Sequence, residues 1–143
     1  MTNESIIKRN KKKERIHAKL ICEKIVGIKI VGYNYYLDND TKYISKILSS
    51  KCDKRQPVKI INMDSKVYDS IFNVFNELKI GNNVIFSVGC GWLCRAEVID
   101  WKDVIMSLLN LVGICFYDYD IKKGVSIELD EYKYGYKCKI YLL

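Results

Sequence analysis

Proline occurs once in these 143 residues, at Pro57, and histidine once, at His17. A single proline leaves no extended, proline-rich linker between domains. A single histidine, far from any serine or cysteine signature, excludes a hydrolase triad, which needs a base beside its nucleophile. No two cysteines stand in CxxC spacing, so the usual zinc patterns are missing. Phosphate loops of the GxxxxGK and GxGxxG types are absent as well. The longest nearly apolar run, Val104 to Tyr117, spans 14 residues, short of the ~20 that cross a bilayer. The opening MTNESIIKRNKKKERIHAKL lacks the apolar stretch of a secretory signal. The expectation is a cytoplasmic protein without a membrane partner, cofactor or metal.

What remains is globular in composition: 49% hydrophobic, 12% aromatic and 29% charged. At this length one core suffices, since single domains usually run about 100 to 150 residues. The six cysteines (Cys22, Cys52, Cys90, Cys94, Cys115 and Cys138) read, in a reducing compartment, as small apolar residues. The net charge of +7 is uneven: residues 1–24 hold eight Lys/Arg against three Glu, while the other 119 residues hold sixteen basic and fourteen acidic groups. Attraction to an anionic partner therefore concentrates in the N-terminal segment and in KCDKR, residues 51–55.

The sequence divides into a basic helix or arm over 1–24 and a single α+β domain over 25–143. In the arm, Ile6, His17, Leu20 and Ile21 form a weak apolar stripe. Residues 25–37 are rich in β-branched and tyrosine residues and end at Asp-Asn-Asp, which predicts a strand. TKYISKILSS places Tyr43, Ile44, Ile47 and Leu48 on one helical face. A short strand over 58–63 follows. Asp64 or Ser65 is then placed to cap a helix carrying Val67, Ile71, Val74, Phe75 and Leu78 on its inner face.

From Val84 to Val98 every even position is apolar, through the stretch GCGWLCRAEV. That period of two predicts one long half-buried strand, bent near Gly89 or Gly91, with Trp92 in the core. Cys90 and Cys94 would then lie about 13 Å apart, too far for a disulfide. Asp100 caps a third helix bearing Trp101, Val104, Ile105, Leu108 and Val112 and ended by Gly113. Three strands complete the chain, and the acidic outer row Ser126, Glu128, Asp130 faces the lysine row Lys133, Lys137, Lys139 across a hairpin. The fold expected is α+β, with a mixed or antiparallel sheet, a C-terminal β-meander and three to four helices.

Three functions are weighed. Asp118 or Asp120 with Glu131, Tyr132 and Lys133 faintly matches the Asp…Glu-x-Lys arrangement of Mg²⁺-dependent nucleases, a spacing that also arises by chance. The basic residues Lys8, Arg9, Lys11, Lys12, Lys13 and Arg15 can neutralise phosphates, with Tyr33, Tyr35 and Tyr36 as stacking platforms for nucleic acid. The leading expectation is protein binding. The chain holds eleven tyrosines, and tyrosine buries much area with few torsions to freeze. Tyr117, Tyr119, Tyr132, Tyr134 and Tyr136, with Lys133 and Lys137, form the partner surface on this reading. They lie beside a final strand able to act as a sheet edge for another protein or a second copy. By elimination, a small inhibitor such as a toxin-neutralising immunity protein fits, with no catalytic residues assigned.

Overall fold

The computed structural model describes residues 2–49, 55–88, 91–111, 114–132 and 135–143. Four helices and seven strands follow in the order α1 (Asn3–Glu23), β1 (Ile28–Tyr35), α2 (Lys42–Leu48), β2 (Lys59–Asn62), α3 (Val67–Glu77), β3 (Asn83–Ser87), β4 (Trp92–Val98), α4 (Trp101–Leu111), β5 (Ile114–Asp118), β6 (Lys123–Tyr132) and β7 (Gly135–Leu142). The strands form one sheet in the order β1-β4-β3-β5-β6-β7-β2, and every neighbouring pair is antiparallel. The architecture is α+β, with β5, β6 and β7 as the expected meander.

Helices lie on both faces. α1, α3 and α4 cover one, where Cys22, Ile71, Phe75, Trp101 and Leu108 join Val84, Phe86, Cys94, Phe116, Val125 and Ile140 in the main core. α2 covers the middle of the other, where Ile44, Ile47 and Leu48 meet Ile85, Leu93 and Tyr117. Strands in the centre of the sheet are thus buried on both sides, which is why Val84, Ile85 and Phe86 are consecutive and all buried.

An aromatic cluster fills the main core. Phe116 has ring centroids 5.0 Å from Trp101 and 5.7 Å from both Phe75 and Phe86. These are tilted or edge-to-face contacts, which suit the ring quadrupoles. The Trp101 indole Nε1 donates to the Gly81 carbonyl at 2.9 Å, so the buried ring keeps its polar atom satisfied.

The long strand expected over 84–98 is instead a hairpin, β3 and β4, with Phe86 opposite Cys94 and Val84 opposite Ala96. Paired residue numbers share their parity, so the even residues stay on the main-core face after the chain reverses. A strand and a hairpin whose loop has an odd number of residues give the same alternation.

Capping follows the expected chemistry in part. The Asp100 carboxylate accepts from the Lys102 amide at 2.9 Å and from Asp103 at 3.4 Å, opening α4. Asp64 accepts from the Lys66 amide at 2.8 Å, one residue before α3, and no side chain caps that helix directly. In β6 and β7 the register sets Glu128 opposite Lys139 and Asp130 opposite Lys137, as charge complementarity predicts. Val112 and Gly113 lie outside the described residues, as does KCDK of the basic loop. Arg55 donates to the Leu142 carbonyl at 3.2 Å. Among the described residues no helix is long and apolar enough to cross a membrane.

Truncation of Phe116 to alanine removes the ring that touches three others. The expected loss is about 3–5 kcal/mol, read as a lower urea midpoint.

Candidate functional site

The N-terminal helix is ordered into the fold by its last turns. Ala18 and Cys22 are fully buried and Ile25 follows them into the core, so the basic segment is a helix docked on the sheet at its C-terminal end. Of the expected stripe only Ile21 turns inward, beside Ala18 and Cys22, while Ile6 is 42% exposed, Leu20 is 53% exposed and His17 is exposed. Cationic side chains extend this inner face toward the N-terminus at helical spacing. Lys11 Nζ sits 4.2 Å from the Tyr35 ring centroid and 5.7 Å from that of Trp92, and the Arg15 guanidinium carbon sits 5.6 Å from Trp92. A cation over an aromatic face is attracted by the ring quadrupole.

Tyr35 reaches that position because of one extra residue. β1 pairs Ile28 with Val98 and Ile30 with Ala96, then shifts register so that Tyr33 faces Cys94 and Tyr35 faces Trp92. Val31 is the bulge. Before it the even residues point at the main core, and after it the odd residues do. A regularly paired residue at that position would turn Tyr33 and Tyr35 away from α1.

Next along the chain, Tyr36 donates its amide to the Gly91 carbonyl at 2.9 Å, and its ring stands 3.1 Å from where a Gly91 side chain would begin. Gly91 also has φ +74°, a conformation that favours glycine. This glycine therefore serves both a turn and a close approach. Gly89 and Cys90 lie outside the described residues. Tyr35, Tyr36 and Trp92 form a compact group, with centroids 4.8 Å apart for the first pair and 5.3 Å for Tyr35 and Trp92.

Two hollows adjoin Trp92. One, of about 570 Å³, is lined by Lys8, Arg9, Lys11, Lys12 and Arg15 together with Trp92. The other, of about 600 Å³, lies between α2 and the β3–β4 turn, with Tyr36, Leu37, Lys42, Ser45, Ser87 and Leu93 among its walls. Five of the six basic residues expected at a nucleic-acid surface thus share one cleft, from which Lys13 is absent. Among the described residues none of those five forms an ion pair. Glu14 is the carboxylate of α1 that acts on Tyr35, whose hydroxyl is pushed up in pKa chiefly by burial. Tyr33, half-buried beside Cys22 and Cys94, is pushed up to about 12, again chiefly by burial. It supports α1 from beneath.

Cys94 and Cys22 are neighbours in the core, and the influence of Cys22 together with burial raises the pKa of the Cys94 thiol well above its ordinary range. Cys94 has its sulfur partner on α1, a contact that spacing within its own strand could not reveal. Among the described residues no cluster of His, Cys, Asp and Glu is suited to a metal ion.

Of the expected protein-binding tyrosines, Tyr117 and Tyr119 have described side chains, and their rings stand together. Tyr117 is buried under α2, and its ring meets Tyr43 and Tyr119 edge-on at 6.0 and 5.4 Å. Tyr119 is half-buried, with Arg95 5.3 Å from its ring. Tyr132 and Tyr136 have their backbones in β6 and β7, and their side chains, with Lys133 and Tyr134, lie outside the described residues. Lys137 is half-buried on β7. That final strand is no edge, because β2 pairs with its outer side, and the sheet ends at β1 and β2.

The nuclease-like acids are also apart. Asp118 pairs with Lys123 at the start of β6, and Glu131 lies eight residues further along that strand, about 26 Å at ~3.3 Å per residue. Asp118 is instead a buried structural group: its carboxylate accepts from the Gly81 amide at 2.7 Å and from Asp120 at 2.8 Å. Burial is the largest influence on it and raises its pKa, against the lowering effect of those amides.

Two measurements check these assignments. Deletion of Val31 should close the bulge into a regular ladder with Tyr33 still opposite Cys94 and Tyr35 still opposite Trp92, so the fluorescence of the buried Trp92 should persist, and Val31→Ala, at an exposed position, should shift stability by under about 0.5 kcal/mol. The raised pKa means that Asp118 adds stability below the ordinary carboxylate range and loses it as pH rises through the raised value. The stability of the native protein relative to Asp118→Asn should therefore fall with rising pH, measured by urea unfolding across a pH series.

No family model, curated protein or solved structure matches this chain.

Proposed function

We propose that the protein binds nucleic acid through the sugar-phosphate backbone, along the basic face of α1. The observation that carries this reading is the seating of Lys11 and Arg15 on Tyr35 and Trp92. Flexible lysines on a bare helix lose side-chain entropy when they grip a phosphate, and cations already docked on rings lose less. Lys8, Arg9 and Lys12 extend the same surface without ion pairs among the described residues. Each phosphate they neutralise releases condensed counterions, which supplies affinity without reading sequence. The near-neutral remainder of the chain leaves this helix as the main source of the field.

Protein binding stays as a second reading, favoured by one feature. Tyr43, Tyr117 and Tyr119 stand in edge-on succession, with Arg95 over the last, beside a hollow of about 410 Å³. Tyrosine and arginine dominate interface energetics. A partner such as the enzyme target of an inhibitor would lie on this face of the sheet, opposite α1. Capture of a protein that persists after nuclease treatment and is lost in Tyr119→Ala supports this reading, and capture abolished by nuclease refutes it.

For the principal reading, a labelled oligonucleotide is titrated with protein at several salt concentrations. Binding should weaken steeply with salt, and the combined substitution Lys8→Ala, Lys11→Ala, Lys12→Ala should flatten the log–log slope by about 0.7 per lost contact on a single strand or about 0.9 on a duplex. A wild-type protein that binds no oligonucleotide at low salt ends the proposal.

A further inference from the structure

α1 is anchored at one end. Ala18 and Cys22 are buried and Lys11 and Glu14 are half-buried, whereas every residue from Asn3 to Asn10 is exposed. At ~1.5 Å per residue this stretch makes a helical projection of about 12 Å with no side packed on the sheet. Thr2 closes its first turn, the hydroxyl accepting from the Ser5 amide at 3.2 Å.

Charge runs around this projection unevenly. At about 100° per residue, Lys11, Arg15, Lys8, Lys12, Arg9 and Lys13 follow one another around an arc of about 200°, with Lys11 and Lys13 at its two ends. Between those ends the remaining ~160° of residues 3–13 holds Ile6, Asn10, Asn3 and Ile7, and no charge. Glu4 is the one carboxylate of residues 3–13 and lies within the cationic arc, while Glu14 stands further in, near Tyr35. A single phosphate backbone meets one side of a helix. Cations on both flanks of an uncharged stripe match two backbones with something uncharged between them.

The major groove of B-DNA has that cross-section: phosphates on both rims and base edges on the floor, about 12 Å wide and 8.5 Å deep. A helix with its side chains is about 10–12 Å across, so it fits the width, and a 12 Å projection is longer than the groove is deep. Asparagine amides and apolar side chains are also groups that meet adenine edges and thymine methyls there.

We infer that the N-terminal half of α1 enters the major groove of duplex DNA. Asn3, Ile6 and Asn10 face the base edges, Lys8 and Lys11 meet one phosphate rim, and Arg9 and Lys13 meet the other. Lys12, on the outer side, is free to reach either. This rests on the nucleic-acid reading and makes the substrate class duplex DNA, because the major groove of an RNA duplex is too deep and narrow to be read in this way.

The test titrates the intact protein into three labelled probes of equal length at one salt concentration: a DNA duplex, an RNA duplex and single-stranded DNA. The two duplexes carry the same number of phosphates, so a preference between them reads groove shape. The DNA duplex should bind at least about tenfold more tightly than either other probe. Lys13 is exposed and lies outside the basic cleft over Trp92, so Lys13→Ala should leave the fold intact and flatten the salt slope on the DNA duplex by about 0.9. Bound protein should shield guanine N7, in the major groove, from dimethyl sulfate and leave adenine N3, in the minor groove, reactive. Equal affinity for the DNA and RNA duplexes, a single strand bound as tightly as the DNA duplex, an unchanged slope in Lys13→Ala, or shielding of adenine N3 in place of guanine N7 would each overturn the inference while leaving backbone binding intact. Failure of all three probes to bind would remove both.

Discussion

A single inserted residue in an edge strand governs this molecule. Val31 bulges out of the ladder with β4, and with period-two geometry a regularly paired residue there would turn Tyr33 and Tyr35 to the other face of the sheet. The energetic consequence is local and large: Tyr33 packs beneath α1 beside the Cys22–Cys94 thiols, and Tyr35 meets Trp92. The functional consequence follows from the packing. A helix with two fully buried side chains, Ala18 and Cys22, gains further contacts to the sheet through cations on rings.

Fold class was legible because apolar periodicity records burial, and it did so for α2, α3, α4 and the C-terminal strands. The face of α1 was not. An inner stripe built partly from lysine and arginine carries no hydrophobic signal, so Lys11 and Arg15 read as a cationic surface and not as part of the face packed on the sheet. Likewise the alternation from Val84 to Val98 records which face each residue occupies, and a reversal through an odd-numbered loop leaves that record unchanged. Proximity in sequence misled in the other direction for Asp118 and Glu131, which an extended strand carries apart.

The site was legible in its composition more than in its geometry. Basic residues near the N-terminus and tyrosines at 33–36 were both visible, and the structure brings five of the cations into one hollow, Tyr36 into its neighbour and Tyr35 under Lys11. Trp92 as the wall common to both was hidden, since a tryptophan in an alternating strand reads as core. The hollow behind it depends on α2, whose covered face was expected but whose place over the sheet could come only from tertiary structure.

The two ends of the sheet are also protected from each other. β2 offers four residues, Lys59–Asn62, and begins with a lysine, while the longer β1 is interrupted at its bulge. Neither presents the flat, unbroken ladder on which identical chains could stack into a fibril. The same bulge thus breaks the edge ladder that another chain's strand would need.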